Sequence, residues 1–224
     1  MPMTAPDYTR YFTPGTSFSY ENGRTGTLSP VEVGELALPT GRLVACDPFV
    51  SLGHGESEPF TVTVAPGRYP VQAAVATLVD PGEEPDPHPH TRIAAVRLVV
   101  RAAPVAAWEM ALLPGQDLAE LGEDEFFGYG VDAGAGCFHD ASADDAFPGT
   151  DEDEGAVWAA MEGVGHGPEV FLAEGEDRHN LAGFTSGWGD GCYPTWIGRD
   201  ADGEVACFVT DFLVAPPELV DPAA

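Results

Sequence analysis

The chain has 224 residues, with 37 Asp and Glu against nine Arg and no Lys, and its formal net charge is −28. Hydrophobic residues make up 44% of the chain and aromatic residues 10%. This composition excludes a chain that is disordered over its whole length. Nucleic acids and anionic membranes carry charge of the same sign, so neither is an expected partner. The charge instead favours encounter with a basic protein or a cation.

The sequence shows no sign of membrane targeting. It does not open with a basic segment followed by an apolar one, as a signal peptide does, and no apolar run reaches the roughly 18 residues of a membrane helix. We therefore predict a cytoplasmic protein. No Cys-x-x-Cys spacing occurs, so we interpret the cysteines as reduced and mostly buried; they are Cys46, Cys137, Cys192 and Cys207.

Strand patterns dominate the first part of the chain. Apolar residues predict a strand over Leu43–Val50. Alternation with threonine over Phe60–Val64 predicts a second strand, which we expect to form a hairpin with Tyr69–Val79 across the Pro66-Gly67 turn. The proline-rich and acidic segment Asp80–His90 then predicts an exposed loop.

Two further strands are predicted over Arg92–Arg101 and Ala106–Leu112, and helices are few. The best helical pattern runs from about Asp151 to Glu162, with Thr150 as its N-cap and acidic residues in its first turn. A weaker helical pattern covers Asp117–Phe126.

The C-terminal part of the chain predicts a hairpin. Its strands are Tyr193–Gly198 and Val205–Val214, and the turn between them is rich in Asp and Gly. The predicted fold class is thus α+β and β-rich, with antiparallel sheets in a sandwich-like arrangement and one or two short helices. We expect an N-terminal extension, a single β-rich domain and a C-terminal tail, at 1–29, 30–214 and 215–224.

Two glycine-rich segments, Gly128–Asp140 and Ser186–Pro194, fit neither a regular strand nor a helix. Repeated glycines allow positive φ and close approach of a ligand to the backbone. If these loops fold back, Asp132, Asp140 and Asp190 converge into the oxygen-rich ligand set that Ca²⁺ or Mg²⁺ prefers. The alternative is that each Asp caps a turn by accepting backbone N–H groups.

Other polar and aromatic residues near these loops are candidates for chemistry. His139 or His179 could act as a general base, and the Cys137 thiol beside either one could act as a nucleophile. The aromatic residues Trp188, Tyr193 and Trp196 suit a ligand pocket or a protein-binding surface. As ordinary core and surface residues, all of them would look the same in the sequence.

Four segments in a fixed order resemble the uncharacterised bacterial family called domain of unknown function 4241. They are Gly34–Pro48, Pro66–Val71, Gly130–Asp140 and Ser186–Pro194, the last followed by a strand that ends in Asp211-Phe212. Ala135 and His139 depart from the family pattern, which has a hydroxyl residue and an apolar residue there. The resemblance implies a small cytoplasmic protein, loosely associated with conflict between bacteria, and no established activity.

Three functions remain open from the sequence. The first is an acidic binding protein that neutralises a basic protein, in the manner of an immunity protein against a toxin. The second is a metal-assisted hydrolase that uses the three aspartates and a histidine base. The third is a structural or sensory domain without catalysis, in which the glycine loops are only turns.

Overall fold

The computed structural model describes residues 1–55, 57–83, 89–150, 154–164 and 169–222. Within these ranges the chain forms thirteen strands, one α-helix and a few 3₁₀ turns. The helix, α1, spans Gly155–Glu162, and the strands are β1 (Ser17–Ser19), β2 (Thr25–Leu38), β3 (Leu43–Cys46), β4 (Gly67–Val79), β5 (His90–Val99), β6 (Ala107–Met110), β7 (Tyr129–Val131), β8 (Ala135–Asp140), β9 (Val170–Glu174), β10 (Asn180–Thr185), β11 (Gly191–Tyr193), β12 (Thr195–Arg199) and β13 (Val205–Asp211).

Seven strands form one curled antiparallel sheet in the order β1-β2-β4-β5-β13-β12-β6. Its longest ladder joins β2 to β4, with a register shift between Glu32 and Gly34. A second antiparallel sheet of four strands has the order β3-β8-β10-β9, and β7 pairs with β11 in a short ribbon. These sheets confirm the β-rich, antiparallel fold class.

The four-stranded sheet is buried on both faces. On the face that packs against the large sheet, Phe138 and Phe184 belong to the main hydrophobic core. On the opposite face, Cys137 and Leu181 belong to a second cluster, which Val157 of α1 completes. The molecule therefore has a layer on each side of this sheet, which explains why all six residues of β8 are buried.

Two predicted elements are wrong and one is shorter. Residues 60–64 are extended but form no strand, because Phe60 and Thr61 donate to carbonyls of two separate segments, at Leu43 and Leu112. The predicted helix at 117–126 is reduced to a 3₁₀ turn over Leu118–Glu120, which the Asp117 carboxylate caps. The backbone is extended again at Leu121.

The predicted helix at 151–162 exists, but it begins at Gly155 and its N-cap is Glu154. Thr150 is not the cap, since its hydroxyl donates to the Phe147 carbonyl. Asp151–Asp153 lie outside the described residues, as do residues 84–88 of the predicted proline-rich loop. The predicted C-terminal hairpin is present as β12 and β13.

The segments outside 30–214 contribute to the same core. Tyr8, Tyr11, Phe18 and Leu28 are almost completely buried there. The C-terminal segment is held close by an isolated bridge that pairs Val220 with Ser17. No helix in the described ranges is long and apolar enough to cross a membrane, and the cytoplasmic location stays a prediction.

The side chain of Asn180 joins the two sheets. Its carbonyl oxygen accepts from the Ala37 N–H at 2.8 Å, and its amide donates to the Glu35 carbonyl at 2.9 Å, both in β2. Because Asn180 is 1% exposed, its removal leaves backbone groups of β2 without partners in a site that water reaches poorly.

We expect Asn180→Ala to lower the free energy of unfolding by about 2 kcal/mol, measured by urea denaturation. The matched control is Asn22→Ala, in an exposed turn, for which we expect a change of about 0.5 kcal/mol or less. Equal effects of the two substitutions would show that Asn180 does not hold the sheets together.

Candidate functional site

The structure does not bring Asp132 and Asp140 together. Asp132 precedes β8 and Asp140 is its last residue. A strand rises about 3.3 Å per residue, so the six residues of β8 place these two positions at opposite ends of an extended segment of more than about 16 Å. The loop thus does not fold back as expected, because its second half pairs with β3 and β10.

Asp140 is buried and fully engaged with neighbouring groups. Its carboxylate accepts hydrogen bonds from the backbone and hydroxyl groups of both Thr40 and Ser142. Burial by itself would raise the pKa of Asp140, but the hydrogen bonds from Ser142 and Thr40 lower it below its usual value. Asp140 therefore fits the turn-capping alternative.

Asp132 and Asp190 are exposed at one end of the β7–β11 ribbon. Asp132 follows Val131 and Asp190 precedes Gly191, and these two neighbours pair with each other. The turn at Asp132 is capped by Asp47, a buried residue outside the predicted site, whose Oδ2 accepts from the N–H groups of Asp132 at 2.9 Å and Ala133 at 2.7 Å.

The aromatic residues predicted to bind a ligand fall into two environments. Trp188 is 48% exposed at the tip of the turn between β10 and β11, with the Arg92 guanidinium 5.5 Å from its ring centroid. Tyr193 and Trp196 are buried in the main core. The structure therefore places only Trp188 on the surface.

The two histidine candidates also differ. His179 is half-buried, directly before β10, at the end of a 3₁₀ turn over Glu176–Arg178. His139 is completely buried in β8, on the same face of the strand as Cys137, because side chains two residues apart share a face. Across the β3–β8 ladder, Cys46 pairs directly with Cys137.

Cys46, Cys137 and His139 form a tight buried group. The two sulfur atoms are 3.7 Å apart, and Nε2 of His139 is 3.6 Å from Sγ of Cys46. In the part of the chain that the structure describes, this is the only group of three His, Cys, Asp or Glu residues whose ligand atoms all lie within 4.8 Å of one another. The carboxylate group expected for Ca²⁺ or Mg²⁺ is thus not formed there.

The three residues perturb one another's protonation. The Cys137 thiol, as hydrogen-bond donor, lowers the pKa of Cys46, against the effect of burial, and His139 lowers it further. Burial raises the pKa of Cys137, and its bond to Cys46 adds to the rise. Burial alone would lower the pKa of His139, but Cys46 raises it above its usual value. Cys46 is therefore the more acidic thiol.

This arrangement suits ligation better than nucleophilic catalysis. All three side chains are 5% exposed or less, so a substrate could not reach the sulfur atoms without a rearrangement of the sheet. The sequence predicts Cys137 with His139 or His179 as candidates but gives no sign of Cys46. The Cys-x-His spacing of Cys137 and His139 on a strand was the available signal, whereas Cys46 lies 91 residues away and joins them only through strand pairing.

A cleft of about 390 Å³ lies between the N-terminal and C-terminal segments, over the buried carboxylate of Asp211. The Tyr8 hydroxyl donates to Asp211 at 2.7 Å and the Leu213 N–H at 2.8 Å. Leu213 itself has a φ of 55°, an uncommon conformation for a leucine. Burial raises the pKa of Asp211 to about 6, although these hydrogen bonds oppose the rise.

The raised pKa of Asp211 predicts a pH dependence of stability. The folded state binds the proton more tightly than the unfolded state, whose pKa is 3.8, so the contribution of Asp211 is greatest at low pH and is lost as the pH rises through about 6. As the pH rises from about 5 to about 7.5, Asp211 loses its proton in the folded state. We expect this loss to lower the free energy of unfolding by about 1.5 kcal/mol.

The measurement is urea denaturation across this pH range for the wild type and for Asp211→Asn. The variant should lack this part of the pH dependence, and the exposed control Asp202→Asn should keep it. A pH profile of Asp211→Asn parallel to that of the wild type would contradict the prediction.

The family resemblance seen in the sequence motifs is confirmed by comparison with known proteins. The family model described as "Protein of unknown function (DUF4241)" matches residues 36–210. No curated protein and no solved structure matches the chain. Since the matched region covers well over half of its length, the chain belongs to the DUF4241 family of proteins of unknown function.

Proposed function

We propose that this protein binds a basic protein partner, in the manner of an immunity protein that neutralises a basic toxin. The observation that carries the proposal is the position of Trp188. This residue is 48% exposed, and it lies near the end of the β7–β11 ribbon where the carboxylates of Asp132 and Asp190 face solvent. We call Asp132, Trp188 and Asp190 the acidic turn patch. Exposed tryptophans are frequent hot spots of protein interfaces.

The charge of the whole chain supports the same function. A net charge of −28 accelerates the encounter with a basic partner and repels acidic ones. Between residues 102 and 177 the sequence contains acidic residues but no Arg or Lys. In such a complex, the long-range field brings the partner to the protein, and the desolvated aromatic contact provides most of the affinity.

Arg92 and His90 contact the ring of Trp188 and limit its motion. The Arg92 guanidinium lies over the indole ring, and His90 meets the ring edge-on with the centroids 6.4 Å apart. Contacts of this kind restrict the rotamers of the exposed ring before a partner arrives, which lowers the entropy cost of ordering it in an interface.

Isothermal titration with lysozyme as the basic probe protein tests the proposal. We expect the Kd to rise steeply between about 0.05 M and about 0.3 M salt, because the attraction is screened. At low salt, Trp188→Ala should raise the Kd by about threefold or more through the lost aromatic contact.

The matched controls separate a specific patch from diffuse attraction. Asp190→Asn removes one charge from the acidic turn patch, whereas Asp202→Asn removes one from the turn at the far end of β12. Asp190→Asn should weaken binding more than Asp202→Asn. If the two have equal effects and Trp188→Ala has none, the patch is not the binding surface.

A further inference from the structure

We infer that Cys46, Cys137 and His139 form a binding site for a zinc ion or a similar borderline divalent cation. The site is separate from the acidic turn patch and does not depend on the proposed binding of a basic protein.

The two distances from Cys46 to the other donor atoms are those of a tetrahedral zinc site. Zinc binds thiolate sulfur at about 2.3 Å and imidazole nitrogen at about 2.0–2.1 Å, so at tetrahedral angles two sulfurs lie about 3.8 Å apart and a sulfur and a nitrogen about 3.5 Å apart. The observed distances are 3.7 Å between the sulfurs and 3.6 Å between Cys46 Sγ and His139 Nε2. Two of the three distances between donor atoms thus match a tetrahedral site, and all three atoms lie within 4.8 Å of one another.

The imidazole is oriented as a metal ligand. Nδ1 of His139 lies 2.9 Å from the backbone carbonyl oxygen of Asp140. Because a carbonyl oxygen only accepts, Nδ1 carries the proton, and the lone pair of neutral His139 is on Nε2, which faces Cys46. Zinc-bound histidines usually make this second hydrogen bond, which fixes both the tautomer and the ring orientation.

The donor set and its charge also favour zinc over the hard cations. Two sulfurs and an imidazole nitrogen are ligands for zinc and other soft or borderline metals, whereas Ca²⁺ and Mg²⁺ require oxygen. On binding, each thiol releases its proton to solvent. Two thiolates, a neutral imidazole and a divalent cation sum to zero charge, which avoids an uncompensated charge in a buried site.

The carboxylate of Asp144 is close enough to act on His139. This residue lines a cleft of about 200 Å³ with Leu52 and Phe147. Among the described residues, its Oδ1 is buried without a hydrogen-bond partner, and Asp144 is one of the charges that raise the pKa of His139. A carboxylate at this position attracts a cation, and three protein ligands leave a fourth coordination position for a water molecule.

Cobalt substitution of the full chain tests the site. Reduced wild-type protein should bind about one equivalent of Co²⁺ with the thiolate-to-metal charge-transfer absorption and the visible bands of a tetrahedral centre. Zinc should displace the cobalt. Cys46→Ser should abolish the charge-transfer band or weaken binding by more than about 100-fold, since even residues that only support a ligand change metal affinity by about 10- to 100-fold.

Cys207 provides the matched control, because its exposure of 4% is close to the 5% of Cys46. Unlike Cys46, Cys207 lies in β13, away from the group. Cys207→Ser should bind cobalt as the wild type does. If Cys46→Ser fails to fold, X-ray absorption of the zinc-loaded wild type decides, and it should show two sulfur neighbours at about 2.3 Å.

Three results would overturn the inference. They are a first shell of oxygen and nitrogen only, loss of the charge-transfer band in Cys207→Ser and not in Cys46→Ser, and binding of well under one equivalent by the fully reduced wild type.

Discussion

The structure depends on the burial of β8 on both faces. This strand of six residues lies between β3 and β10, with one face in the main core and the other in the second cluster. A strand in this position has no solvent-facing side, so every polar side chain on it needs a partner inside the protein. His139 and Asp140 are the two such residues, and each has one.

The same constraint explains three other buried polar residues. Asp47 caps the turn before β8, Asn180 connects β10 to β2, and Asp211 is held by Tyr8. In each case the hydrogen bonds link segments that are far apart in the sequence. The buried carboxylates thus cross-link distant segments, whereas the exposed carboxylates provide the charge of the surface.

The two proposed sites, the acidic turn patch and the Cys46–Cys137–His139 group, lie in different parts of the structure. The patch lies at an exposed ribbon end, where long-range charge and an exposed aromatic ring would act on the proposed partner. The two cysteines of the Cys46–Cys137–His139 group belong to the second cluster, to which the short helix α1 contributes Val157. A zinc ion there would cross-link β3 to β8 and add stability to the side of the molecule with the smaller core.

The sequence by itself determined the β-rich antiparallel class, the C-terminal hairpin, the family and the acidic character, because alternation, turn composition and charge are local properties. The hairpin predicted for 60–64 was wrong because its hydrogen bonds go to distant segments, at Leu43 and Leu112. The helix predicted at 117–126 ends after one 3₁₀ turn, whose hydrogen bonds are local. The convergence of Asp132 with Asp140 failed because β8 separates them. Only the tertiary structure brought Cys46 to Cys137 and His139, because strand pairing joins residues 91 positions apart and no local pattern records which strands will be neighbours.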